Sequence, residues 1–237
     1  MLTDTINELL EAHTQAIATQ QRFIANAAHQ LRTPLAGLKL QAERALREQN
    51  LSAMKPALLQ IQNSADRMSH LTTQLLVLAR SEPISGGYEW LPVDLCKLAR
   101  KTCIDWVPKA LQQNMELSFE SPEKALYVQG DETLLRELLV NLLDNAISYG
   151  YDNGNILVKL HRYPTPCLTV EDDGPGIPDT EMDRVFERFY RIPGSPGNGC
   201  GLGLAIVKEI ADLHNARFHL SKSGIKGGTR IDLIFEK

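Results

Sequence analysis

The sequence predicts an α+β chain, a helical hairpin followed by an α/β sandwich, on three observations. Residues 1–80 contain only Pro34, Pro56 and Gly37 as helix-disfavouring residues, and their apolar residues recur at spacings of three and four. A turn-rich segment, SEPISGGYE at 81–89, then interrupts the pattern. Beyond it, helical stretches alternate with short strand-like runs.

In the first half, Ile24, Ala28, Leu31, Leu35, Leu38, Ala42 and Ala45 form one stripe. Leu58, Ile61, Ala65, Met68, Leu71, Leu75 and Leu78 form a second, and the two helices join near Gln49–Ser52. Two helices cannot bury both stripes alone, so a homodimer whose paired hairpins make a four-helix bundle is expected. In the second half, helices are expected at about 94–112, 131–149 and 202–214. Strands are expected at 115–119, 125–128, 156–161, 167–171, 216–220 and 229–235, in one mixed sheet with helices on one face.

Composition narrows the function classes. A hydrophobic fraction of 43% with 23% charged residues is globular rather than disordered. A net charge of -4 gives no basic footprint for nucleic acid. Cys96, Cys103, Cys167 and Cys200 show no metal-ligand spacing and read as small buried hydrophobes. No apolar run approaches the ~20 residues of a membrane span, and the first residues carry no signal-peptide pattern.

Three segments carry chemistry. The run from Gly199 to Val207, GCGLGLAIV, opens a helix, where glycines let backbone N–H groups approach phosphate oxygens and the helix dipole favours an anion. The run from Val170 to Ile177, VEDDGPGI, is a second glycine-rich turn. In ELLVNLLDNA, Glu137 to Ala146, Asn141 and Asn145 share one helix face opposite leucines. Such neutral oxygens suit Mg²⁺ held mostly by phosphates and water. In the helical half, His29 lies off the stripe formed by Ala28, Leu31, Leu35 and Leu38, and is expected to face solvent.

The order Asn-x-x-x-Asn, Asp-x-Gly-x-Gly, Phe-x-x-Phe, Gly-x-Gly-x-Gly resembles the N, G1, F and G2 boxes of the histidine-kinase ATP-binding domain, a Bergerat-type fold shared with gyrase, Hsp90 and MutL. The matching residues are Asn141 and Asn145, Asp172 with Gly174 and Gly176, Phe186 and Phe189, and Gly199, Gly201 and Gly203. The segment from Phe23 to Leu35, FIANAAHQLRTPL, resembles the H-box of the same family. The resemblance implies a sensor histidine kinase core using ATP and Mg²⁺, with phosphoryl transfer to His29 and then to an aspartate of a response-regulator receiver domain.

It further implies roles by position. Asp172 would accept from the adenine amino group, with Thr229 nearby. Asn145, with Asn141, would hold the metal and phosphate oxygens, and Tyr149 and Leu202 join the ATP contacts. Residues 189–200 would form a lid over the phosphates, and Arg188 and Arg191 at its base would neutralise the γ-phosphate, unless they are ordinary surface charges. Thr33 would position water for phosphatase chemistry, or else bond its own backbone. Pro34 is expected to bend the helix locally. The implied domains are 1–20 (signalling helix), 21–82 (dimerisation and phosphotransfer), 83–90 (linker) and 91–237 (ATP binding). The parent protein would be anchored in the inner membrane upstream of residue 1, with this portion in the cytoplasm.

Two positions depart from the family. Gln30 stands where a carboxylate follows the histidine, and Ser148 where Lys or Arg often follows the second asparagine by three residues. Two rivals follow. One is a phosphatase-dominant or kinase-impaired signalling scaffold. The other is a gyrase-like ATPase, disfavoured because Asn141 occupies the position of its hydrolytic glutamate.

Overall fold

The computed structural model describes residues 2–47, 51–79, 90–122, 124–162, 164–196, 199–224 and 227–236. Two compact units divide the chain, Met1–Leu76 and Val77–Lys237. The expected hairpin turn and the 81–89 linker fall largely outside the described residues.

The first unit is built on helix α1, Leu2–Arg47, and helix α2, which begins at Leu51 and ends at Ala79. Both run through their prolines, Pro34 and Pro56, without interruption. Among the described side chains of α1, the half-buried or buried positions are Ala18, Phe23, Ala27, Gln30, Leu31, Pro34, Leu38, Gln41, Ala42 and Ala45. Ile24, Ala28 and Leu35 of the expected stripe remain exposed within the single chain, as expected if part of the stripe is covered only when two hairpins pair. On α2, Ala57 is buried and Ile61, Met68 and Leu71 are half-buried, while Leu58 and Ala65 are exposed. Sequence spacing shows that a helix is amphipathic. With apolar residues on more than one side, it does not show which side the hairpin itself covers.

The second unit opens with strand β1, Leu91–Asp94, and helix α3, Leu95–Gln112. Asp94 caps α3, its Oδ1 accepting from Cys96 N at 3.0 Å and Lys97 N at 3.3 Å. Next come β2 (Glu116–Glu120), β3 (Tyr127–Gly130), α4 (Glu132–Tyr149), β4 (Asn155–His161) and β5 (Cys167–Asp172). Two short 3₁₀ turns, Asp179–Glu181 and Arg184–Phe186, precede α5 (Gly203–Leu213), β6 (Ala216–Lys222) and β7 (Thr229–Phe235).

The main sheet has the order β2-β4-β5-β7-β6; β2 and β4 are parallel and the other pairs antiparallel. One expectation needs correction. The run at 125–128 does not join this sheet; as β3 it pairs antiparallel with β1 in a separate two-stranded ribbon. Strand β1 escaped sequence reading because Leu91-Pro92-Val93-Asp94 is short and contains a proline, which normally demotes a strand.

Register decides which side chains face the helices. Val158 pairs with Val170, Leu160 with Leu168, and Ile231 and Leu233 continue those rows on β7. All six are buried. Strand alternation then puts Asp172 on the same side as Leu168 and Val170. The helices supply the opposing layer: Leu138, Leu139, Leu142 and Leu143 of α4 and Ile206, Val207 and Ile210 of α5 are almost wholly inaccessible.

Candidate functional site

The site is assembled where the carboxyl half of α4, the end of β5, the start of α5 and the start of β7 meet. Gly203 makes the first junction. A Cβ there would lie 3.2 Å from both Asn145 Oδ1 and Nδ2, and 3.5 Å from Asn141 Oδ1. The glycine therefore lets the first turn of α5 close onto the two carboxamides. Asn141 is buried, and its Nδ2 donates to Glu137 O at 2.8 Å and to Glu137 Oε1 at 3.2 Å. This fixes the amide orientation and leaves Oδ1 on the Gly203 side. Asn145, one turn on, is half-exposed. Two neutral oxygens beside a helix start fit a hard cation carried mainly by phosphates.

The amino end of α5 suits an anion. Its cap residue, Leu202, makes no side-chain cap hydrogen bond. The cap side chain therefore satisfies none of the first-turn N–H groups, which add to the positive end of the helix dipole. Gly201 precedes the helix at φ 74°. Phe189, at φ 66°, donates its N–H to Gly201 O at 2.8 Å. That bond ties the two ends of the 189–200 segment together. A Cβ on Gly201 would meet Tyr190 O at 2.6 Å, so this closure requires glycine. Gly199 lies over Tyr149, since its Cβ would be 3.3 Å from the phenol oxygen.

Asp172 forms the other wall. Its Oδ1 accepts from Gly174 N at 2.9 Å and Thr229 N at 3.1 Å, and the Thr229 hydroxyl also donates to the carboxylate. Burial nevertheless pushes the acid above its ordinary range, with these hydrogen bonds opposing the shift. Gly174 bridges this wall to α4: a Cβ there would lie 3.0 Å from Asp172 Oδ1 and 3.3 Å from Tyr149 O. Gly176, at φ 71°, abuts Gly227 O.

The two arginines are engaged within the fold. Arg188 Nη2 reaches Glu209 of α5 at 3.5 Å. Arg191 Nη2 donates to Ser195 O at 3.2 Å and Pro196 O at 3.0 Å, bracing its own segment from inside. Phe186 stacks edge-on against Phe218 with centroids 4.9 Å apart, which anchors the segment before Phe189. In the first unit, His29 is exposed as expected, Thr33 is exposed and Gln30 is half-buried. The nearby cysteine of the glycine turn, Cys200, is half-buried, and burial raises its thiol pKa.

Sequence reasoning missed three supports. Asp173 is 1% exposed and accepts from Asn155 N and Asn155 Nδ2, both at 2.8 Å, which pins the turn that carries Asp172. Gly228 is pressed against that turn, since a Cβ there would lie 2.1 Å from Asp172 O. His214, at the end of α5, accepts from Asp131 N at 3.1 Å through Nε2. Its Nδ1 lies 2.7 Å from Ile210 O and so carries the proton. Asp131 caps α4 through Thr133 N and Leu134 N, so His214 links the two helices of the site. The adjacent aspartates and the paired glycines were visible signals, but the His214 contact spans 83 residues and left none.

These features make an α/β sandwich in which two carboxamides meet the start of α5 and a buried carboxylate closes the end of β5. Comparison with known proteins agrees. Residues 130–237 match the family described as histidine kinase-, DNA gyrase B-, and HSP90-like ATPase, and residues 19–84 match the His Kinase A (phospho-acceptor) domain. The sensor protein kinase PmrB of Pseudomonas aeruginosa is 36% identical over 239 residues, covering 100% of this chain and 50% of that protein. The sensor protein QseC of Escherichia coli is 34% identical over 226 residues, covering 94% and 50%. The solved mycobacterial sensor histidine kinase MprB aligns with a TM-score of 0.56 at 28% identity, covering 61% of this chain and 97% of that one. The chain belongs to the sensor histidine kinases and carries their phosphoacceptor and ATP-binding core. It spans about half the length of these two curated relatives. Among the described residues, no helix is long and apolar enough to cross a membrane.

Proposed function

We propose that the chain binds ATP in the second unit, phosphorylates His29, and passes the phosphoryl group to an aspartate of a receiver domain. One observation carries the reading: the carboxamides of Asn141 and Asn145 converge on Gly203 at the uncapped start of α5. Asp172, held by two backbone N–H groups, receives the adenine amino group. Asn145 and Asn141 hold the Mg²⁺ that screens the triphosphate. Residues 189–200 cover the phosphates.

In the transfer, a ring nitrogen of His29 attacks the γ-phosphorus and the bond to the β-phosphate oxygen breaks, releasing ADP. The transition state is loose, so positioning and charge neutralisation dominate. The imidazolium formed must then lose its other proton. Gln30 can orient the ring by accepting that N–H through its amide oxygen, but it cannot take the proton away; water collects it. Thr33, one turn on and also exposed, would position the water that hydrolyses the receiver's phospho-aspartate. The unit acts as a homodimer, because Ile24, Leu35, Leu58 and Leu59 stay exposed on the hairpin of a single chain.

Hydrolysis alone is disfavoured by Asn141. It stands where a gyrase-like enzyme carries its base, and its amide is committed to Glu137. Incubation with γ-labelled ATP separates the readings. Acid-labile label on the protein is expected; free phosphate without protein label would support an ATPase, and neither product a kinase-dead scaffold.

A further inference from the structure

A triphosphate brings several negative charges, and the two arginines assigned to it above already have partners. Arg188 is paired with Glu209, and Arg191 donates to lid carbonyls. Ser148 of α4 is exposed and uncharged. A third cation lies on the neighbouring helix α3 and reaches α4. Lys109, in the last turn of α3, places its ammonium on Asp144 Oδ1 and 4.2 Å from the centroid of Trp106. Asp144 is the residue before Asn145 and lies one helical turn before Ser148. Its charge also acts on Cys200, in the glycine turn that leads into α5. The Lys109–Asp144 pair therefore lies beside the phosphate end of the site.

The pair is suited to exchange. Lys109 and Asp144 are 47% and 39% exposed, and ion pairs in that setting contribute little to stability. A lysine is a point charge on a flexible stem, and charge-assisted bonds to phosphate are stronger than ordinary ones. Trp106 holds the side chain near one place, with its ring face under the ammonium. Without a cation, the Asp144 carboxylate would repel an incoming phosphate.

We propose that Lys109 is a polyphosphate-binding residue, turning from Asp144 toward the terminal phosphates of ATP and serving as counter-ion to both. The proposal rests on the ATP reading above and adds a residue to it. The test is calorimetric titration of the whole chain with Mg·ATP and with adenosine, for wild type, Lys109→Met and Lys109→Arg. Methionine keeps the stem over Trp106 and removes the charge. Lys109→Met is expected to weaken ATP about tenfold and leave adenosine within about twofold of wild type, with Lys109→Arg close to wild type for both. Equal ATP affinity in Lys109→Met and wild type would overturn the proposal. So would a parallel loss of ATP and adenosine, or a Lys109→Arg variant as weak as Lys109→Met. A wild-type chain that binds no ATP would instead overturn the ATP reading, and this inference with it.

Discussion

Replacing Asp172 with asparagine separates structure from recognition at the adenine end of the site. Oδ1 accepts the Gly174 and Thr229 amides at 2.9 and 3.1 Å. The substituted carboxamide can keep both bonds through its own carbonyl oxygen, so the end of β5 and the start of β7 should stay in place. The second oxygen becomes an NH₂, which meets the adenine amino group donor to donor. A lost charge-assisted hydrogen bond of this kind is worth about 2 kcal/mol, or roughly thirtyfold in affinity. Removing a carboxylate that burial already disfavours should leave the thermal midpoint unchanged or slightly raised. Titration calorimetry and a melting curve on the same sample read both quantities. The pH dependence has a defined sign. Burial raises the Asp172 pKa, so protonation begins above the ordinary carboxylate range as pH falls. Wild-type ATP affinity should therefore weaken in that window, and Asp172→Asn should remove that part of the pH dependence. An Asp172→Asn variant that binds ATP as tightly as wild type, with a normal melting curve, would refute the adenine assignment.

Other perturbations test the supports. Gly228→Ala forces a Cβ to 2.1 Å from Asp172 O; it should cost about 1–3 kcal/mol in denaturant melts and weaken ATP binding at the same time. Burial lowers the His214 pKa, so the folded state binds fewer protons than the unfolded one just below the ordinary histidine value of about 6.5. Stability should be fully present above that value and fall as pH drops through it toward the depressed pKa, as read by thermal midpoints across pH 5–8; His214→Phe should flatten that slope. Gln30→Glu supplies a proton acceptor beside His29 and should raise the initial rate of phosphohistidine formation; an unchanged or lower rate would remove Gln30 from the account. Pro34→Ala should alter the ratio of kinase to phosphatase rates if the proline shapes the His29 face, and identical rates would remove that role.

Local chemistry was legible in the sequence wherever it sits on a single element. The i, i+4 spacing of Asn141 and Asn145, the glycines before α5 and the exposure of His29 all follow from period and residue type, and the structure reproduces each. Contacts between distant segments were not legible. The pairing of β1 with β3, the Asp173–Asn155 clamp and the His214–Asp131 link depend on tertiary register, which spacing along one element does not encode. How the apolar residues divide between the hairpin seam and an exposed face was not legible either. Helix α1 carries apolar residues on more than one side, and period alone does not separate the side covered within the hairpin from the side left exposed. Ile24, Leu35 and Leu40, at 59%, 54% and 63% exposure, belong to the second kind.

The central claim is that His29 receives the phosphoryl group of ATP bound by the Asn141–Asn145–Gly203 site. It is tested most directly by incubating wild type and His29→Gln with γ-labelled Mg·ATP under identical conditions, after confirming equal ATP affinity. Acid-labile, alkali-stable label is expected on wild type and none on His29→Gln. Label of equal amount on both proteins, or on neither despite bound ATP, would contradict it.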